Sequence, residues 1–138
     1  MTHLILVLTL AFDLTAVQSE PNPEKRSERA LDYANLALDA ARDDYNSGNY
    51  DKSQNELQEV CDSVDLAYQS LSDTGKDPRK DPKFFKRAEL RTRELLRRLE
   101  GVGQGMSQVD RGTLDKVRER ISEVHDNLLN GIMSKKKK

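Results

Sequence analysis

Apolar residues recur at alternating steps of three and four along four stretches of the chain, and no stretch alternates apolar and polar residues as a strand does. This spacing places the apolar side chains of each stretch on one face of an α-helix. The predicted buried stripes are Leu31, Ala34, Leu38, Ala41 and Tyr45; Leu57, Val60, Val64, Ala67 and Leu71; Phe85, Ala88, Thr92, Leu95, Leu99, Val102 and Met106; and Leu114, Val117, Ile121, Val124, Leu128 and Ile132. We therefore expect an all-α protein.

Residues typical of helix ends separate the four stretches. Asn22-Pro23 predicts an N-cap followed by a first-turn proline, and Asp81-Pro82 repeats that signal before the third helix. The remaining signals are Ser47-Gly48-Asn49 and Thr74-Gly75 at two breaks, Gly101, Gly103 and Gly105 at a loosened helix end, and Ser107 with Asp110 as a capping-box pair.

Four helices of matched length with short connections favour an antiparallel up-down-up-down four-helix bundle, built from two long helical hairpins. A single amphipathic helix of about 20–25 residues is not stable alone in water, so the stripes must pack together. The alternative is that the two hairpins pack as a solenoid fragment or exchange between two chains.

The first 19 residues are typical of a secretory signal peptide. Residues 4–12 are apolar apart from Thr9, and this run is shorter than the roughly 20 apolar residues of a membrane-spanning helix. Val17-Gln18-Ser19 predicts cleavage before Glu20, and Leu14-Thr15-Ala16 offers a second cleavage point. We expect residues 1–19 to be removed, residues 20–134 to form a single helical domain, and the mature chain to be periplasmic or secreted without a transmembrane segment. The alternative is a retained, buried apolar arm.

The first hairpin resembles a tetratricopeptide helix–turn–helix at Ala37, Ala41, Gly48, Tyr50 and Leu57. Ser53 stands where that repeat favours alanine, and no second copy follows in residues 80–135, so we interpret the resemblance as shared hairpin packing. The mature chain as a whole resembles small exported bacterial helical proteins of no assigned function. That resemblance implies a compartment and a fold, and it supplies no activity.

The residue types that carry catalysis and metal binding are scarce. Cys61 is the single cysteine, which precludes an intramolecular disulfide, and His3 and His125 are the two histidines. Cys61 borders an apolar stripe, so we expect an inert thiol, and His125 should lie at a boundary beside solvent or a carboxylate. Paired carboxylates such as Asp43-Asp44 belong to charged faces and have no apolar pocket to raise a pKa. We expect no enzymatic activity, cofactor or metal.

The charge distribution is the strongest functional signal. The net charge is −1, but residues 20–75 hold 13 acidic and 5 basic residues, whereas residues 76–138 hold 10 acidic and 18 basic ones. The candidate interaction surface is Lys76, Arg79, Lys80, Lys83, Lys86, Arg87, Arg91, Arg97 and Arg98. These charges either neutralise the acidic hairpin, bind an anionic partner, or drive head-to-tail self-association. The run of lysines at residues 135–138 is a solvated tail, or a further contact for an anionic polymer or lipid.

These patterns predict an exported, non-enzymatic helical-bundle protein that binds macromolecules in the bacterial envelope through its basic second hairpin. The partner would be an unknown protein or an anionic envelope polymer, and export argues against nucleic acid. One alternative is a cytosolic nucleic-acid-associated protein that keeps its N-terminus. Another is a small-ligand carrier, in which the small residues Ala34, Ala37 and Ala41 leave a cavity inside the bundle.

Overall fold

The computed structural model describes residues 14–134. Within this range the chain forms four long helices, which we number in chain order: α1 (Pro23–Asn46), α2 (Tyr50–Asp73), α3 (Lys83–Gln104) and α4 (Gly112–Met133). Residues 14–18 are also helical, and the described range contains no strand. The all-α prediction is confirmed. The apolar run at residues 4–12 and the lysine tail at residues 135–138 lie outside the described residues.

The predicted stripes form the hydrophobic core. All their residues are buried except three, Tyr45, Val102 and Ile132, which are partly buried against the core edge. Three serine hydroxyl groups outside the predicted stripes, those of Ser53, Ser63 and Ser70, are buried beside them and donate to helix carbonyl oxygens. Ser53 Oγ donates across the first hairpin to the Ala41 carbonyl at 2.6 Å, which satisfies a polar group that would otherwise be costly to bury.

The start of α1 follows the sequence signal, and the start of α3 does not. Asn22 Oδ1 accepts hydrogen bonds from the backbone N–H groups of the second and third helical residues, at 3.0 and 3.1 Å, and Pro23 is the first residue of α1. The predicted Asp81 cap is wrong, because Pro82 occupies the N-cap position of α3 and no side chain caps that helix. Asp77 turns the chain instead, since its carboxylate accepts from the Arg79 N–H at 2.9 Å.

The glycine-rich segment at the end of α3 has a packing role that its composition does not reveal. The helix continues through Gly101 and Gly103 to Gln104, so the predicted loosened end is wrong at these two positions. A Cβ atom on Gly103 would lie 3.2 Å from the Leu114 Cδ2 atom. Gly103 is therefore needed where α3 and α4 approach each other closely.

Helices α1 and α2 form an antiparallel hairpin with closely packed small residues. Ala30, Ala34, Ala37 and Ala41 are completely buried along α1. The turn between the helices contains Gly48 at φ = +85°, a backbone conformation that glycine adopts without strain. Helices α3 and α4 form the second antiparallel hairpin, in which Glu89 of α3 faces the C-terminal half of α4.

The second hairpin stacks on the first with its helices running in the same directions. Ion pairs join α1 to α3 with a constant offset along the two helices: Glu28–Arg87, Asp32–Arg91 and Asp39–Arg98. Helix α2 lies beside α4 in the same way, and Asp65 pairs with Arg120 at 2.8 Å. An up-down ring would place α2 and α3 side by side, yet these two helices contact each other only slightly. The neighbouring helices are those of two stacked hairpins, so the predicted up-down-up-down bundle is not confirmed.

Tyr45 connects the two hairpins at the end of the molecule where α1 finishes. Its hydroxyl donates to Asp110 Oδ2 at 2.9 Å and accepts from the Ser107 N–H at 3.0 Å. Ser107 and Asp110 also bond to each other as the predicted capping-box pair, although α4 begins only at Gly112. One phenol thus fixes the α3–α4 connection against the first hairpin.

We expect Tyr45→Phe to lower the free energy of unfolding by about 1–2 kcal/mol, because the substitution removes two hydrogen bonds between the hairpins. Tyr50→Phe is the matched control, since Tyr50 stacks on Tyr45 but is 49% exposed and its hydroxyl has no partner in the described range. Its effect should stay within about 0.5 kcal/mol. Urea denaturation followed by circular dichroism measures both values, and equal losses would contradict the role of the Tyr45 hydroxyl.

Candidate anion-binding surface

Three of the nine predicted surface residues are arginines of α3 that pair with acidic residues of α1. Arg87 contacts Glu28 at 3.1 Å and Arg91 contacts Asp32 at 2.5 Å. Arg98 bridges two α1 side chains, because its guanidinium donates both to Asp39 and to Asn35 Oδ1. These arginines form the contact between the hairpins, so the structure supports internal charge complementarity for this part of the basic hairpin.

Three further members of the predicted surface have acidic partners close by. Lys76 Nζ lies 2.9 Å from Glu24 of α1, and the interaction raises the pKa of that ammonium group. Arg79 pairs with Asp77 within the connection between α2 and α3, at 3.2 Å. Arg97 pairs with Glu94 one helical turn earlier. Exposed pairs of this kind reduce the charge that is available to a partner, although each adds little stability.

The last three predicted residues, Lys80, Lys83 and Lys86, form no ion pair with any described residue. The sequence analysis missed a fourth such lysine, Lys25 in the first turn of α1. It belongs to the acidic half of the sequence, so only the parallel stacking of α1 on α3 reveals that it shares an end of the molecule with the other three. We call Lys25, Lys80, Lys83 and Lys86 the basic end.

Arginine and lysine differ consistently across the described chain. Every arginine within residues 14–134 has an acidic partner; these pairs are formed by Arg26, Arg29, Arg42, Arg79, Arg87, Arg91, Arg93, Arg97, Arg98, Arg111, Arg118 and Arg120. Among the lysines of that range, only Lys52 and Lys76 have one. Four of the five others form the basic end, and the fifth, Lys116, lies near the start of α4 at the opposite end.

Two apolar side chains accompany these lysines. Phe84 is partly buried, with Lys83 Nζ 5.2 Å and Arg87 Cζ 5.7 Å from its ring centroid, whereas Phe85 is buried as its stripe position predicts. Met133 ends α4 and is 70% exposed. The end of α4 reaches the same side of the molecule, since Gly131 packs on Pro78 of the α2–α3 connection. The basic end therefore combines unpaired lysines with accessible apolar groups.

A groove of about 1050 Å³ lies between α3 and α4 and is open to solvent. Its lining is mostly charged and comprises Leu96, Arg97, Glu100, Gly101, Gln104, Asp115, Arg118, Glu119, Ser122, Glu123 and Asp126. The alanines of α1 are in close contact instead, and this packing gives the carrier alternative no support.

His125 occupies a boundary position beside a carboxylate, as the sequence predicts. Its Nε2 lies 2.7 Å from Glu89 Oε2, and Arg93 binds the same carboxylate at 2.6 Å. Partial burial opposes ionisation of Glu89, but hydrogen bonds from Arg93 and His125 hold its pKa below the usual value. Within residues 14–134, no cluster of three or more histidine, cysteine or acidic side chains could hold a metal ion.

Cys61 lies where a thiol is protected. Its side chain is buried on α2, and burial raises its pKa to about 11, with the nearby Asp65 and Asp62 carboxylates adding to the rise. A neutral, inaccessible thiol is a poor nucleophile. This environment agrees with the expected inert role.

A buried acid pair at the other end of the molecule departs from expectation. Glu56 of α2 is only 4% exposed and its Oε1 atom has no hydrogen-bond partner. Burial, and then its interaction with Asp44, raise the pKa of Glu56 to about 8. Burial acts against ionisation of Asp44 too, yet the hydrogen bond with Glu56 and the charge of Lys52 hold the pKa of Asp44 below its usual value. The sequence pattern pointed to Asp43 and Asp44 and did not identify Glu56, the carboxyl group whose surroundings raise its pKa.

Comparison with protein-family models, with curated proteins and with solved structures finds no match to this chain. None of the helices in residues 14–134 is long and apolar enough to cross a membrane. Neither finding identifies a partner, so the charges and contacts described above are the basis for assigning a function.

We expect the acid pair to make stability depend on pH. The raised pKa keeps Glu56 protonated in the folded state from about pH 4.5 to pH 8, while the unfolded chain has lost that proton, so stability falls as pH rises through this window. Glu56→Gln imitates the neutral acid and should raise Tm by several degrees at pH 8.5 while changing it little at pH 5. Glu119→Gln, at an exposed position of α4, is the control for charge removal. Parallel pH profiles of Tm for the wild type and Glu56→Gln would contradict the assignment.

Proposed function

We propose that this protein is an exported, non-enzymatic helical-hairpin protein that binds an anionic macromolecular surface through its basic end. The observation that carries the proposal is the different pairing of arginine and lysine residues. The arginines are engaged within the molecule, and four of the five unpaired lysines lie together at one end. Unpaired charges attract an anionic partner without first breaking an internal ion pair.

This proposal narrows the surface that the sequence indicates. Of the nine predicted residues, Arg87, Arg91 and Arg98 bind the first hairpin, so their charge reversal would disturb the fold before it reports on a partner. Lys80, Lys83 and Lys86 remain as the accessible part of the predicted surface, and Lys25 joins them. The lysines of residues 135–138 follow Met133 in sequence and add four positive charges to the chain beyond α4.

The packing of Val17 favours the earlier of the two predicted cleavage points. Val17 is buried, and the same region of α1 presents Tyr33 and Leu36 beside it. Glu20 is held as well, because its carbonyl oxygen accepts from Arg26 at 2.8 Å. Cleavage after Ala16 keeps these contacts in the mature chain, whereas cleavage after Ser19 removes Val17.

We therefore expect N-terminal sequencing of the native protein to begin at Val17. A start at Glu20 would still support export but would contradict the retention of Val17. An intact N-terminus would contradict export and would favour the cytosolic nucleic-acid-associated alternative. This measurement separates the two functional classes without any binding assay.

The basic end itself is tested by binding to an immobilised soluble polyanion, such as heparin, with elution by salt. We expect Lys83→Glu to elute at clearly lower salt than the wild type, because one attraction is replaced by a repulsion. Lys116→Glu makes the same charge change at an exposed, unpaired lysine near a helix start at the opposite end, and it should elute close to the wild type.

Two results would overturn the proposal. Absence of retention of the wild-type protein at low salt would show that the free lysines bind no polyanion. Equal losses in Lys83→Glu and Lys116→Glu would show that net charge matters and that the basic end does not. Circular dichroism of both variants checks that neither result comes from unfolding.

A further inference from the structure

Accessible apolar groups distinguish the basic end from an ordinary solvated patch of charge. Met133 is 70% exposed at the last residue of α4, although most of the large apolar side chains in the described range are buried or partly buried. Phe84 lies beside Lys83, whose ammonium group is 5.2 Å from its ring. A ring with cationic neighbours and an exposed thioether at the same end provide both of the interactions that an interfacial protein uses, apolar contact and attraction to anionic headgroups.

We propose that the anionic surface is a lipid bilayer, with the basic end resting on anionic headgroups and the exposed Met133 side chain entering the interfacial layer. This inference rests on the proposed function and names its partner. In this orientation the starts of α1 and α3 and the ends of α2 and α4 face the membrane. The helices stand on the surface, and no part of the described chain crosses it.

The unpaired basic residues of the basic end are lysines, and this residue type favours a lipid surface over a partner whose phosphates have fixed positions. Arginine binds a phosphate through two parallel donors, and in this molecule the arginines of α3 are held by carboxylates. Lysine is a compact point charge on a flexible stem, which suits a diffuse layer of headgroups without fixed geometry. The free lysines come from a loop and from two different helices, so they present a broad patch and no shaped pocket.

The acidic neighbours do not cancel this patch. Glu24 and Glu28 are already paired with Lys76 and Arg87, and Asp77 is paired with Arg79. Asp81 is exposed without an ion-pair partner in the described range, so it offsets one lysine of the basic end.

The test is co-sedimentation of the mature chain, beginning at Val17, with vesicles of phosphatidylcholine alone or mixed with phosphatidylglycerol, at low and high salt. We expect binding to the mixed vesicles only, and its loss at high salt because salt screens exposed charges. Lys83→Glu should weaken partitioning roughly tenfold, since each basic residue near an anionic surface contributes about fivefold and the new carboxylate adds repulsion. Lys116→Glu should bind like the wild type.

Met133→Ser tests the apolar part of the contact separately, because it leaves the charge unchanged at an exposed position where folding does not depend on the side chain. We expect weaker binding to the mixed vesicles and unchanged retention on heparin, which offers no apolar layer. Equal binding to vesicles of phosphatidylcholine alone, or equal weakening by Lys83→Glu and Lys116→Glu, would overturn the lipid assignment. Unchanged vesicle binding of Met133→Ser would overturn the interfacial contact.

The heparin experiment distinguishes failure of the lipid inference from failure of the proposed anion-binding function. Retention on heparin that depends on Lys83, without binding to mixed vesicles, would overturn the lipid inference and leave the anion-binding function standing. Failure to bind either probe would overturn both.

Discussion

The contact between α1 and α3 determines which charged side chains of this molecule remain available to a binding partner. Because the two helices run in the same direction, acidic residues of α1 meet basic residues of α3 at a constant offset, from Glu28 with Arg87 to Asp39 with Arg98. A strongly acidic hairpin and a strongly basic one thus neutralise each other along their shared face. What remains positive lies at one end of that face, where Lys25 of α1, Lys80 of the α2–α3 connection, and Lys83 and Lys86 of α3 form no ion pair with a described residue.

The ion pairs do not hold this arrangement together by themselves. Pairs as exposed as these contribute about 0–1 kcal/mol each, whereas complete burial of a single leucine side chain contributes about 1.5–3 kcal/mol. The core includes Leu38, Leu57, Leu95 and Leu99 with no solvent exposure, so apolar burial provides the stability. The charges favour this packing over others that bury a similar apolar area. A different register, or an antiparallel contact between α1 and α3, would separate the oppositely charged side chains that now pair.

Sequence reasoning succeeded where the determinant is local and failed where it is not. The three–four spacing identified the core residues of all four helices, and Asn22 capped α1 as expected, because both depend on neighbours within one or two turns. The neutralisation of Arg91, the free state of Lys25 and the packing role of Gly103 each depend on a residue some distance away along the chain or on another helix. The raised pKa of Glu56 likewise requires Asp44 of the preceding helix. Periodicity alone says which face of a helix is buried, but not which helix covers it.

The stacking also gives the molecule two chemically different ends. At one end, Glu56 is kept protonated by burial and by its neighbour Asp44, so that this carboxyl group is uncharged near neutral pH. At the other end, the lysines of the basic end form no ion pair with a described carboxylate. A helical protein whose charges were all internally matched would meet an anionic surface without a preferred orientation. Here the unpaired lysines leave a positive excess at one end, so attraction to an anionic layer would orient the helices relative to that layer.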